Sequence, residues 1–266
     1  MTESQSTKLF TPTEVGVLDL QHRVVMAPLT RKRAEAGSGI PADFTAEYYA
    51  QRASLGGLLI SEGTSIAEEA GGYANVPALG TRSSSNDREE KYGGSIENRS
   101  RFPLRVLTAV CKAIGPDRVG IRMSPFSHFQ GTREEDPLAL FVPWTEAIAK
   151  AQPSLAFVHA VGPRAFGSRD TPKHLQQPED CLNAVWNAVS QTGIKLIVAG
   201  GYLPETAIQH ASETDDLVAF GRYFISNPDL PARIENGWKL RKYGRETFYT
   251  QTTEGYTDLP TYNARL

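Results

Sequence analysis

Only two cysteines, Cys111 and Cys181, occur in 266 residues, and neither belongs to a CxxC or Cys/His spacing. A disulfide framework and a structural zinc site are therefore not indicated, and both thiols are expected to be reduced core residues. The chain also lacks an excess of charge. Lys+Arg 28 against Asp+Glu 30 leaves a net charge of −2 with no block of one sign, so nothing suggests a phosphate backbone or an anionic membrane as partner. No run approaches the roughly 18 apolar residues of a membrane helix. Met1 to Lys8 is polar, without the apolar stretch of a signal peptide, and the expectation is a soluble, cytoplasmic protein.

What is present is alternation. Leu9-Phe10 and Val15 to Leu18, separated by Thr11-Pro12-Thr13, read as a small N-terminal hairpin. Val24 to Ala27 is a short apolar run suited to a strand buried on both faces. Helical spacing over Asp43–Leu55 leads to Leu58–Ile60, and Ile96–Ile114, containing Pro103, leads to Val119–Ile121. Pro137–Ala151 leads to Ala156–Val158, Glu179–Val189 to Leu196–Val198, and Pro204–Ala211 to Leu217–Phe220, before Asp229–Leu240 closes the pattern. Short apolar strands that each follow a helix describe parallel βαβ units.

Six strands are two short of the eight in a closed (β/α)₈ barrel. The tract 63–94, rich in Gly, Ser, Asn and charge, has no strand-length apolar run. By pattern alone an open doubly wound sheet competes equally with a barrel, though no GxGxxG follows the first strand.

Several motifs carry a resemblance. Gln21 to Thr30, Ile60-Ser61-Glu62-Gly63-Thr64, Ala70-Gly71-Gly72-Tyr73 and Tyr92-Gly93-Gly94-Ser95-Ile96-Glu97-Asn98-Arg99 are followed by Val119 to Pro125. Ala199-Gly200-Gly201-Tyr202, Phe220-Gly221-Arg222-Tyr223 and Glu254 to Asp258 complete the series. In this order, over nearly the whole chain, they resemble the old yellow enzyme family of FMN-dependent ene-reductases, in particular its fungal natural-product branch. The resemblance implies one truncated TIM-type (β/α) barrel domain over 1–266, with about six strands, an N-terminal β-hairpin and a long irregular loop over 63–94. Here the chain passes almost directly from Pro77 to Asn86, where the family carries its third and fourth β/α units.

That gap has a chemical meaning. In the family, the lost strands supply a Gln on the flavin ring, a His-x-x-Asn or His-x-x-His pair that holds the substrate oxygen, and a Tyr that delivers a proton. None of His22, His128, His159, His174 and His210 has His or Asn three residues later.

The retained positions imply an FMN site with NADPH as reductant. Gly200, Gly201, Gly221 and Arg222 match the phosphate anchor, which suits backbone N–H groups and a cation at the ends of the last strands; two ordinary turns are the plain alternative. Pro28, Leu29, Thr30, Gly63 and Arg122 match the flavin-ring contacts, Arg122 facing charge that develops on reduction; an ion pair with Glu62 is its alternative. Tyr256 and Tyr73 are candidate substitute acids, since a phenol with pKa near 10 can donate to a basic enolate; packing is the plainer role for each. His159 ends a strand and faces either the core or the outside of the site.

Three functions are in play: a flavoenzyme acting on a small activated alkene in secondary metabolism, a repurposed isomerase or cyclase, and a non-catalytic binding protein. An incomplete barrel leaves strand edges exposed, and a homo-oligomer is expected to cover them.

Overall fold

The computed structural model describes residues 7–35, 39–64 and 91–262. Its chain forms two compact units, Met1–Arg23 with Thr81–Val218, and Val24–Gly80 with Ala219–Leu266. In chain order the hairpin strands β1 (Thr13–Val15) and β2 (Leu18–Leu20) precede β3 (Val24–Met26), helix α1 (Phe44–Arg52) and β4 (Leu58–Leu59). Then come α2 (Ile96–Ile114), β5 (Gly120–Met123), α3 (Pro137–Ala151), β6 (Phe157–Val161) and a hairpin of β7 (Ala165–Phe166) and β8 (Arg169–Asp170). The chain closes with α4 (Asn183–Val189), β9 (Lys195–Ala199), α5 (Pro204–Glu213), β10 (Leu217–Phe220), α6 (Arg222–Ser226) and α7 (Leu230–Glu235). Among the described residues no helix is long and apolar enough to cross a membrane.

In the first unit the strands run β10-β9-β6-β5, with Leu217 and Val218 of β10 belonging here. Strands β5, β6 and β9 pair in parallel, and Arg122 stands opposite His159, which stands opposite Ile197. Leu196, Ile197 and Val198 are buried on both faces of the sheet, each contributing about 1.5–3 kcal/mol of transfer free energy. Helix α2 begins where Ser95 accepts the Asn98 N–H at 3.2 Å, and continues unbroken through Pro103. Helix α3 begins at Asp136, whose carboxylate accepts the Ala139 N–H at 3.1 Å. Both caps satisfy donors that a helix start leaves open.

The N-terminal hairpin exists, but its turn is Gly16-Val17 and not Thr11-Pro12-Thr13. Gly16 has φ +57, and a Cβ there would lie 1.9 Å from the Asp117 carbonyl oxygen, which accepts the Val17 N–H at 3.1 Å. Only glycine meets both conditions. Leu9 and Phe10 lie in a single 3₁₀ turn instead of a strand. Arg23, nearly enclosed, fastens this cover by donating to the Thr11 and Pro12 carbonyls and pairing with Asp215 at 2.9 Å. Cys111 is buried as expected, whereas Cys181 is exposed, on the chain before α4.

In the second unit the strands run β4-β3-β10, with Ala219 and Phe220 contributed by β10. Val25 pairs with Leu58 and Met26 with Leu59 in parallel register. The Ala27 N–H donates to the Phe220 carbonyl at 3.0 Å and the Ile60 N–H to that of Met26 at 3.0 Å. Strand β3 is buried throughout, which is why its sequence is a continuous apolar run. Most of the 63–94 tract, residues 65–90, lies outside the described residues, and Tyr73 with it.

Candidate active site

Side chains opposite one another in a parallel pair share a face of the sheet, so Arg122 on β5 and His159 on β6 project together. Arg122 lines a cleft of about 210 Å³ with Ser124, Ser127, Phe129, Gly162 and Ala165. Its guanidinium is accessible from that cleft yet surrounded by enough protein that desolvation lowers its pKa, with no carboxylate acting in the other direction. Among the described residues it makes no ion pair. The neighbouring His159 is 1% exposed and sits in the middle of its strand, not at its end. Burial first, and the Arg122 charge second, push its pKa down to about 3. It is therefore neutral at ordinary pH, and its Nε2 closes no hydrogen bond with the described residues.

A cleft-lining cation with no carboxylate beside it is electrostatically unmatched in the protein alone, and it is matched when a ligand brings electron-rich oxygen or nitrogen to the cleft. Arg122 in this setting fits the flavin edge that the resemblance assigns to it.

Gly200 and Gly201 end β9 at φ +134 and +83. A Cβ on Gly200 would stand 3.1 Å from the Gly162 nitrogen, and one on Gly201 would stand 3.3 Å from the Arg164 guanidinium carbon. The turn thus requires glycine, and it seats an exposed cation, Arg164, against half-buried backbone. Sequence reasoning passed over Arg164; its position three residues after the end-of-strand Val161 was the available signal.

The second unit carries the other proposed flavin contacts. Pro28, Leu29 and Thr30 leave β3, with Thr30 exposed, and Gly63 follows β4. Their two segments are tied together by Glu62, whose carboxylate accepts the Arg31 N–H at 3.0 Å while its own N–H donates to the Tyr49 hydroxyl at 3.0 Å. The carboxylate weighed as a partner for Arg122 is thus engaged with the Arg31 backbone. Gly221 packs under Leu29, a Cβ there meeting Leu29 Cδ2 at 3.1 Å. Arg222 opens α6 and lies 5.2 Å from the Tyr243 ring centre. Gly221 and Arg222 belong to this unit, Gly200 and Gly201 to the first.

Tyr256 is fully buried. Its ring stacks on Tyr48 at 3.9 Å, Arg33 lies 4.3 Å from its centre, and burial raises its pKa. The hydroxyl closes no hydrogen bond of normal geometry, although Thr45 lies close enough to pull slightly the other way. Around this stack three guanidinium groups, those of Arg31, Arg33 and Arg52, are almost completely enclosed. Arg31 donates to the Phe248 and Gly255 carbonyls and to the Tyr48 hydroxyl. Arg33 donates to carbonyls of Thr247, Phe248, Thr252 and Glu254, and Arg52 to those of Tyr48, Phe224 and Ile225. Sequence reasoning missed this cluster; three cations in Arg31-Lys32-Arg33, directly after a buried strand, were its one visible sign.

Among the described residues no group of His, Cys, Asp and Glu could hold a metal ion.

The family model of the NADH:flavin oxidoreductase / NADH oxidase family matches residues 8–84 and 81–241. The flavin oxidoreductase hxnT of Emericella nidulans is 31% identical over 378 aligned positions, covering 95% of this chain and 97% of that protein. Those positions outnumber the 266 residues of this chain, so part of the relative has no counterpart here. The chanoclavine-I aldehyde reductase fgaOx3 of Penicillium roqueforti is 32% identical, covering 95% of this chain and 96% of its own. A solved structure of morphinone reductase superposes with a TM-score of 0.82 at 26% identity, covering 99% of each chain. With six strands in the main sheet among the described residues, where that architecture closes on eight, the fold is a truncated TIM-type barrel, and the chain belongs to the NADH:flavin oxidoreductase / NADH oxidase family, the old yellow enzymes, whose cofactors are FMN and a reduced nicotinamide.

Proposed function

We propose that this chain is an FMN-dependent, NADPH-reduced oxidoreductase acting on a small activated alkene of a biosynthetic pathway, with the family's usual substrate-holding pair and Tyr proton donor missing. The observation that carries the reading is Arg122, a solvent-accessible cation without an anion partner among the described residues, lining a cleft at the carboxyl end of β5. The catalytic face of a (β/α) barrel is that end. FMN, when bound, supplies the two-electron chemistry.

The chain's own residues divide the work of holding it. Arg122 places positive charge against the ring edge that becomes electron-rich on reduction. Neutral His159 beside it adds no second cation. In the second unit Pro28, Leu29, Thr30 and Gly63, on segments joined by Glu62, would contact the ring, and Gly221 and Arg222 the phosphate; in the first unit Gly200 and Gly201, with the Arg164 charge at their turn, would contact the phosphate. Tyr256, enclosed and of raised pKa, is assigned to packing in preference to proton delivery.

The absent His-x-x-Asn pair bears on rate. Losing preorganised donors at a developing oxyanion costs about 100-fold to 1,000-fold per group, so ordinary enones should turn over slowly. A repurposed isomerase or cyclase remains the second reading, motivated by the same loss. A second copy of the chain is proposed to cover the half-exposed β5 at the end of the first unit's sheet, and light scattering tests it: a monomer at all concentrations overturns that part.

The deciding experiment is the visible absorption spectrum of the purified protein, with FMN supplied, before and after anaerobic NADPH. A yellow protein bleached by NADPH supports the redox reading. A protein that refuses FMN ends it, and one that binds FMN but ignores NADPH turns the search to non-redox chemistry.

A further inference from the structure

The three enclosed arginines of the second unit pose a question that hydrogen bonding does not answer. Their donors are satisfied by carbonyl and hydroxyl oxygens, which carry dipoles but no net charge. Among the described residues none of the three forms an ion pair, and Glu62 is the carboxylate whose charge reaches Arg33. Burial, aided for Arg33 by the Arg31 charge, lowers Arg33 and Arg52 to about 10, which still leaves both protonated at neutral pH. Three positive charges thus stand in an interior where uncompensated charge is strongly unfavourable. A clamp on residues 247–255 alone would not require that.

Their position suggests a use. Arg31 directly follows Thr30, and its N–H is held by Glu62, the residue before Gly63. The aromatic stack of Tyr48 and Tyr256 presses Arg52, 3.7 Å from the Tyr48 ring centre, and Arg33 into one cluster with Arg31. The cluster therefore lies immediately behind the two segments assigned to the flavin ring.

We propose that Arg31, Arg33 and Arg52 together form a fixed positive field behind the flavin ring that favours the reduced, negatively charged cofactor. The inference rests on the FMN reading above. Buried charges are screened far less by salt than exposed ones, so this field persists at high ionic strength, and because the guanidinium groups are locked by carbonyls it requires no reorganisation when the cofactor gains electrons.

The test uses the full chain loaded with FMN, its reduction equilibrium read anaerobically against a redox dye. Arg33→Gln is expected to lower the equilibrium constant for reduction roughly tenfold, the order of effect of removing one weakly screened unit charge from a protein interior. Arg33→Lys keeps the charge and should stay within about twofold of the unaltered protein. Glu62→Gln retains an acceptor for the Arg31 N–H while removing the opposing charge, and should move the equilibrium the other way. Equal shifts in Arg33→Gln and Arg33→Lys, or no rise in Glu62→Gln, would reduce the cluster to a clamp and overturn the proposal. Glu62→Gln decides alone if Arg33→Gln does not fold. An unaltered protein that takes up no FMN overturns the functional reading and the field with it, whereas FMN bound with unchanged equilibria overturns only the field.

Discussion

Arg122 and the Arg31–Arg33–Arg52 cluster are the same chemical group in opposite circumstances. In the second unit each guanidinium is enclosed and every one is met by carbonyl oxygens from distant parts of the chain. In the first, Arg122 is exposed at the edge of a cleft, with no acceptor among the described residues. A saturated guanidinium builds its surroundings, because removing it strands the oxygens it served. An unsaturated one contributes nothing to the protein alone and becomes useful when a ligand arrives.

The largest effect that would break this contrast belongs to Arg52→Met. It leaves the carbonyls of Tyr48, Phe224 and Ile225 without their donor and empties space against the Tyr48 ring, and should destabilise the fold by about 4 kcal/mol in urea unfolding. Arg122→Met should instead leave unfolding of the cofactor-free protein unchanged, because the exposed guanidinium makes no hydrogen bond or ion pair with the described residues. Its FMN affinity, by fluorescence quenching, should fall about tenfold to a hundredfold, the range for a hydrogen bond to a charged group. If both variants lose stability alike, the distinction fails.

His159 sharpens the contrast through pH. Its folded-state pKa of about 3 lies below the unfolded value near 6.5, so between these the unfolded chain binds a proton that the folded one refuses. Stability is therefore intact above pH 6.5 and is lost as pH falls towards 3, by roughly 2 kcal/mol between pH 6.5 and 5. His159→Asn should flatten that slope in urea midpoints measured across the range, and an unchanged slope would place the acid sensitivity elsewhere. The smallest effect is a neutral reference: Ser95→Ala removes the cap of α2 and should cost about 1 kcal/mol, a scale against which the charged groups can be judged.

Much of the fold was legible from the chain. Helices α2 and α3 begin and end at the residues their patterns indicate, because Ser95 and Asp136 are good caps and the apolar periodicity is long. Strand β10 matches Leu217–Phe220, a continuous apolar run bounded by Asp216 and Gly221. The N-terminal turn was misplaced because Thr-Pro-Thr has stronger local turn chemistry than Gly16-Val17, and only docking against Asp117 decides between them. The short β7–β8 hairpin and the five-residue α6 carry too few residues for any period to show. Of the candidate site, the glycines and Arg122 could be named from motifs. The buried arginines could not, since in a sequence an enclosed guanidinium is indistinguishable from a solvated one until its acceptors, hundreds of positions away, are brought to it.

That separation bears on the order of events during synthesis. Arg31 finds its acceptors Phe248 and Gly255 at distances of 217 and 224 positions along the chain. At about 5–20 residues per second, the ribosome takes roughly ten to forty seconds to deliver them. For that interval the guanidinium groups stay in water and the second unit cannot close its interior, while α2 and α3, near neighbours in the chain, can already pack. The nascent protein therefore exposes β3 and its apolar partners until translation is nearly complete, which marks that stretch as the place where a chaperone would be most useful.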